Sequence, residues 1–269
     1  MRLKIILIIF AIIFLFQGIV GAAGVYLGSF APQNDDSFSF SVSLPELEGD
    51  IISIYTVDEY FRSDNKKINS ANLKLITQEG IIPLTSSQVN LEKDLLSKNQ
   101  TLSFQFDLQS KYEPGLYKNI LYLESSNFKS DLEIIFEIRP WMEILDGSNY
   151  KAIIDQQTLN HKELISSGQQ KLIIRSNTDW KLKVLISEDT TDNLAIRIGT
   201  DSESRKVVDY QQEFVNLSAA QSVIASGMRT TDLSSGRAEI YYQLKIDDFK
   251  KITAGEKSYQ LNFMLEKGS

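Results

Sequence analysis

Apolar and polar residues alternate along most of this chain. Leu102, Phe104, Phe106 and Leu108 fall on one face of an extended segment, and Ser103, Gln105 and Asp107 fall on the other. A period of two marks a strand with one face buried. The same period runs through residues 37–43 (Phe38, Phe40, Val42), 132–138 (Leu132, Ile134, Phe136, Ile138) and 259–265 (Tyr259, Leu261, Phe263, Leu265). Shorter apolar runs predict strands at 73–76, 117–123, 171–175, 180–186, 194–198 and 238–246. Clusters of Asn, Asp, Ser, Gly and Pro separate them, as turns require. Helical spacing is rare. Leu91 and Leu95 predict one short helical turn within 89–98, and residues 205–217 read as helix or strand. Many short strands with turn residues between them predict an all-β chain of sandwich or barrel type.

Residues 1–27 break the pattern. Arg2 and Lys4 precede an unbroken apolar run, 5–16, and the small residues Gly21, Ala22, Ala23 and Gly24 follow it. This layout predicts an export signal cleaved after Ala22 or Ala23. The run is shorter than the ~20 residues of a membrane-spanning helix. Extension through Leu27 keeps an uncleaved anchor as the alternative. No cysteine follows the run, which excludes a lipoprotein anchor. The expected location is therefore periplasm, cell surface or extracellular space.

Composition narrows the partners. The formal charge is −7, and loss of Arg2 and Lys4 with the leader takes it to −9. Phosphate recognition needs clustered Lys and Arg, so nucleic acid is not an expected partner. Membrane contact is expected only through the N-terminal segment, if it stays uncleaved. The chain has no cysteine, so it must be held by its core alone. Absence of cysteine in an exported chain points to a bacterial source.

Two halves match in order. Residues 72–75 resemble 179–182, 89–91 resemble 215–217, and 104–108 resemble 242–246. Gly115-Leu116-Tyr117, followed by Leu123-Glu124, resembles Gly255, Tyr259 and Leu265-Glu266. The spacing between partners grows along the chain, as in a duplicated unit with insertions in its second copy. Pro140 suits a boundary. The expected organisation is a signal segment at 1–23, a linker at 24–36, a first sandwich at 37–140 and a second at 141–269. Each is near the ~100 residues of an immunoglobulin-like domain.

Glu113-Pro114-Gly115-Leu116-Tyr117, set between the strands 102–108 and 117–123, resembles the late hairpin of bacterial secreted immunoglobulin-like and fibronectin-like modules. There a Pro-Gly-x-Tyr turn leads into the penultimate strand. The second half keeps Gly255 and Tyr259, lacks the proline and has two extra residues between them. The resemblance implies two tandem immunoglobulin-like β-sandwich domains, and a fold rather than an activity. Tandem sandwiches behind a leader also resemble periplasmic pilus chaperones. The Arg and Lys pair of their interdomain cleft is not placed in this sequence.

Chemistry is sparse. His161 is the only histidine and lies in a polar stretch without a nucleophile motif, so it reads as a solvated loop residue rather than a triad member. One histidine and no cysteine leave no zinc or copper set. Acids gather at Asp35-Asp36, Glu188-Asp189 with Asp192, Asp201 with Glu203, and Asp247-Asp248. Oxygen-rich loops such as 189–193 suit calcium in principle, but no EF-hand loop is present, and turn closure accounts for these residues. Trp180 alternates with Leu182 and Val184 and reads as core; Trp141 reads as packing between the two domains. No catalytic, cofactor-binding or metal-binding residue is assigned, and no cofactor.

These observations predict a non-enzymatic exported protein of the cell envelope or surface, with an adhesive or structural role as in a pilus-like or wall-associated subunit. Its expected partners are other envelope or surface proteins, including self-assembly by strand addition. Residues 31–43 read as the first strand of domain one, with a donated strand as the alternative. A pilus-type assembly chaperone is the alternative function, and a carbohydrate-binding or hydrolytic secreted protein is a further one.

Overall fold

A computed structural model describes residues 23–44, 51–92, 101–145, 149–154, 163–165, 170–186, 193–217, 221–231, 238–247 and 255–268. Among them there is no α-helix, only a single 3-10 turn at Ser70–Asn72. The leader with Arg2 and Lys4 lies outside the described residues. No helix among the described residues is long and apolar enough to cross a membrane. The chain forms two compact units that divide between Arg139 and Pro140.

Unit 1 contains β1 (Ala23–Phe30), β2 (Asp36–Ser43), β3 (Ile51–Thr56), β4 (Tyr60–Ser63), β5 (Lys66–Asn69), β6 (Leu73–Ile76), β7 (Ile81–Pro83), β8 (Val89–Glu92), β9 (Thr101–Leu108), β10 (Gly115–Glu124) and β11 (Lys129–Ile138). One sheet runs β1-β11-β10-β3-β8, with β4 and β5 added beside β10. The other runs β2-β9-β6-β7. Inward residues of both sheets share one core. Phe38 and Phe106 of the second sheet pack on each other and on Phe136 of the first, and Phe61 of the first sheet packs on Phe106 and Phe136, with Phe106 and Phe136 centroids 4.6 Å apart. Offset and edge contacts of this kind are the favoured aromatic geometries.

Three expectations change here. Residues 24–36, expected as a linker, begin with β1, which pairs in parallel with β11. Val25 and Leu27 alternate into the core and are buried there; their alternation is hidden in the sequence because the apolar leader runs straight into it. β2 is therefore the second strand of the unit, not the first. All eight of its residues pair with β9, and Phe38, Phe40 and Val42 are buried, so it is an integral strand of its own unit. Residues 89–92 form β8, paired with β3, where a helical turn is expected; residues 93–98 lie outside the described ones.

The hairpin singled out in the sequence sits at the start of β10. The Tyr117 hydroxyl donates to the carbonyl oxygen of Glu113, 2.9 Å away, and its ring stacks on Phe136 at 5.6 Å. Gly115 is required by close approach, because a Cβ there would meet Ser63 Oγ at 2.4 Å.

Unit 2 contains β12 (Met142–Ile144), β13 (Asn149–Ile154), β14 (Glu163–Ile165), β15 (Gln170–Ser176), β16 (Trp180–Ile186), β17 (Asn193–Thr200), β18 (Val207–Tyr210), β19 (Val215–Asn216), β20 (Ser222–Gly227), β21 (Glu239–Asp247) and β22 (Gly255–Lys267). One sheet runs β12-β15-β21-β17-β19 with β14 beside β21, and the other runs β13-β22-β16-β20-β18. Their inward faces again share one core. Trp180 is fully buried in it, and its indole N–H donates to Met228 O at 3.0 Å.

Pairing decides which strands of the two units correspond. In unit 1, β9 lies between β2 and β6; in unit 2, β21 lies between β15 and β17. Likewise β10-β3-β8 corresponds to β22-β16-β20. Two of the four sequence matches, 104–108 with 242–246 and 115–124 with 255–266, therefore join equivalent strands. The other two do not. β6 pairs with β9, whereas β16 pairs with β22 in the opposite sheet. β8 pairs with β3, whereas β19 pairs with β17. Short strands of similar composition look alike in sequence, and only hydrogen-bonded neighbours separate them.

Candidate functional site

The side chains singled out for chemistry are dispersed. His161, Glu188, Asp189, Asp192 and Asp248 lie outside the described residues. Asp35 accepts from Ser110 N at 2.9 Å, and Asp36 accepts from Ser37 N at 2.8 Å. Asp201 accepts from the backbone N–H groups of Glu203 and Ser204 and from the Ser204 hydroxyl. That hydroxyl, with the two N–H groups, holds its carboxyl below the ordinary aspartate value. These are turn-closing contacts. Among the described residues no three His, Cys, Asp or Glu side chains converge as a metal set. Trp141 is buried, its backbone N–H donates to Asn177 Oδ1 at 2.9 Å, and the Arg175 guanidinium lies 5.5 Å from its ring centre.

The structure draws attention instead to one strand edge. In unit 1, β10 has neighbours on both sides: β3 and β4 on one, and β11 along its whole length on the other. Its counterpart β22 pairs with β16 from Leu261 to Lys267 and with β13 from Gly255 to Gln260. In the sheet order β13 stands where β11 stands beside β10, and its described pairing runs from Gly255 to Gln260. Among the described residues, 261–267 pair with β16 alone.

Burial follows the pairing. Leu121 and Leu123 on β10 are fully covered, because β11 lies beside them with Leu132, Ile134, Phe136 and Ile138 turned inward. Leu265, which the sequence matches to Leu123, is only half-buried, as is Phe263. Met142 and Ile144 of β12 are half-buried too, and Leu145 is 51% exposed. On the outer face, Lys183 pairs with Glu266 at 2.6 Å. An unpaired strand edge with an apolar rim is a ready template for a further strand.

No family model matches the chain, and no curated protein matches it. Among solved structures, it is similar at 12% identity and a TM-score of 0.29 to a family 123 glycoside hydrolase from Clostridium perfringens, over 44% of this chain and 23% of that one. It is similar at 8% identity and 0.21 to the C-terminal domain of the AgI/II polypeptide BspA of Streptococcus agalactiae, over 92% of each chain. The serine-rich repeat protein Srr2 of Streptococcus agalactiae follows at 9% identity and 0.19, over 85% of this chain and 84% of that one. Likenesses this low assign neither family nor activity.

Proposed function

We propose that this is a non-enzymatic, exported protein of the cell envelope or surface, built of two immunoglobulin-like sandwiches. It joins other surface proteins, including further copies of itself, by strand addition at β22. The observation that carries the reading is that Phe263 and Leu265 of β22 are only half-buried and that, among the described residues, 261–267 pair with β16 alone. Strand addition combines main-chain hydrogen bonds with pockets for alternate side chains, and both are on offer at residues 261–267. The immunoglobulin-like assignment is supported by the strand order of unit 1 and by the Tyr117 hydroxyl bonding back to Glu113 at the start of β10, the arrangement of a tyrosine corner. Export is supported by the layout of residues 1–27.

The test uses the strand that unit 1 places in this position. A synthetic peptide of residues 129–138 is added to the full chain, with a control in which Leu132, Ile134, Phe136 and Ile138 are serine. The expected result is saturable binding of the first peptide only, with a higher unfolding temperature, and loss of binding in Phe263→Lys. Equal behaviour of the two peptides would reject strand addition at β22.

A further inference from the structure

The other sheet of unit 2 carries a groove on its outer face. β17 and β21 pair with Arg197 opposite Gln243 and Gly199 opposite Tyr241. Ile196 and Ile198 are buried in the core, so Arg197 and Gly199 point outward on the alternate positions. Beyond β17, Ile198 N donates to Gln211 O at 2.7 Å, which sets Tyr210 and Gln212 along the opposite rim. Arg197, Gly199, Tyr210, Gln212, Tyr241 and Gln243 line a cavity of about 290 Å³.

Two residues in it bear on what it could hold. Gly199 has no positive φ, and a Cβ there would meet only Tyr241 O at 4.0 Å. Neither backbone nor packing requires glycine at this position, the last but one of β17. Its absent side chain is what opens the floor. Arg197 is held firmly, but not by an acid. Its Nε donates to Gln243 Oε1 at 2.8 Å, and its guanidinium lies 4.7 Å from the Phe214 ring centre. It has no carboxylate partner among the described residues, in a chain with 35 acids against 28 Lys and Arg. The nearby Asp201 is occupied by the 201–204 turn and by a long contact from Tyr241, at 3.5 Å.

We propose that this groove binds an acidic sugar residue. The guanidinium fork of Arg197 suits a carboxylate bidentately. The amides of Gln212 and Gln243 suit hydroxyls as donor or acceptor, and the tyrosine rings offer a flat apolar face. The volume is at the lower end of the ~300–1,000 Å³ of small-molecule sites, which fits one ring rather than an extended peptide. The inference rests on the surface-protein reading for its biological role alone; the chemistry of the groove is independent of the β22 edge.

The experiment titrates the full chain with three probes by saturation-transfer NMR and calorimetry: methyl glucuronide, N-acetylneuraminic acid and methyl glucoside. At least one acidic sugar is expected to bind at least tenfold more tightly than the neutral one, and whichever binds identifies the source of the carboxylate. Arg197→Gln is expected to lose at least tenfold in affinity. Gly199→Leu is expected to abolish binding while leaving the unfolding midpoint unchanged or raised; Gly199→Ala is the milder filling variant if the leucine form does not fold. Failure of both acidic sugars, equal binding of the glucoside, or undiminished binding when the floor is filled would overturn the proposal. Capture of the 129–138 peptide in the same preparation separates that failure from failure of the strand-addition reading.

Discussion

At the residue scale, two glycines of unit 2 show opposite constraints. A Cβ on Gly199 would meet only Tyr241 O, at 4.0 Å, whereas one on Gly227 would meet Lys206 O at 2.2 Å and the Trp180 ring at 2.3 Å. Trp180 is fully buried and tied to Met228 O, so it has nowhere to move without breaking that bond. Gly227→Ala is expected to destabilise unit 2 by about 1–3 kcal/mol, the usual cost of overpacking. Urea unfolding followed by tryptophan fluorescence measures it, and an unchanged midpoint would contradict the close approach. Nothing in the sequence distinguishes these glycines, since both sit near a strand end among small and polar residues. The fate of Trp180 was legible, because its alternation with Leu182 and Val184 fixes the face on which it lies. The groove around Arg197 was not legible, because its residues come from β17, β21 and the 210–212 segment, far apart in the chain.

At the element scale, the strands legible from sequence are those with strong alternation and one buried face: β2, β9, β10, β11, β16 and β22 all lie where the period of two places them. Others escaped for identifiable reasons. β1 continues an apolar run, so no polar positions mark its register. β8 is four residues long and carries Leu91 at a spacing from Leu95 that imitates a helix. β20 buries the adjacent Ile224 and Ala225, where the register with β16 shifts, so its alternation is broken. β1 provides a test of strand against linker. Leu27 is 3% exposed, and Leu27→Ala is expected to cost about 2–3 kcal/mol of unit 1 stability, the low end for truncating a buried leucine. Chemical denaturation reads this directly, and a silent substitution would return residues 24–36 to the role of a linker.

At the scale of the whole molecule, an exported surface role predicts where the protein is found. Fractionation of the native cells is expected to place it in the envelope or outside the cell, with its N-terminus at Gly24 or Ala23; recovery of the intact chain in the cytosol would reject the reading. Unboiled gels of the same fractions are expected to show high-mass species if copies join at β22. The sequence by itself determined the all-β class, because alternation along a strand is a local consequence of one wet and one dry face. It also determined the absence of cysteine chemistry and the acidic balance, which are matters of composition. Tertiary structure alone decided which strands correspond between the units, because sheet neighbours are chosen by hydrogen bonding between distant segments. It alone decided that residues 261–267 of β22 pair only with β16 among the described residues, and that Arg197, with no carboxylate partner among them, lies beside a glycine without a steric reason. Those features depend on what is next to a residue in space, which no pattern along the chain encodes.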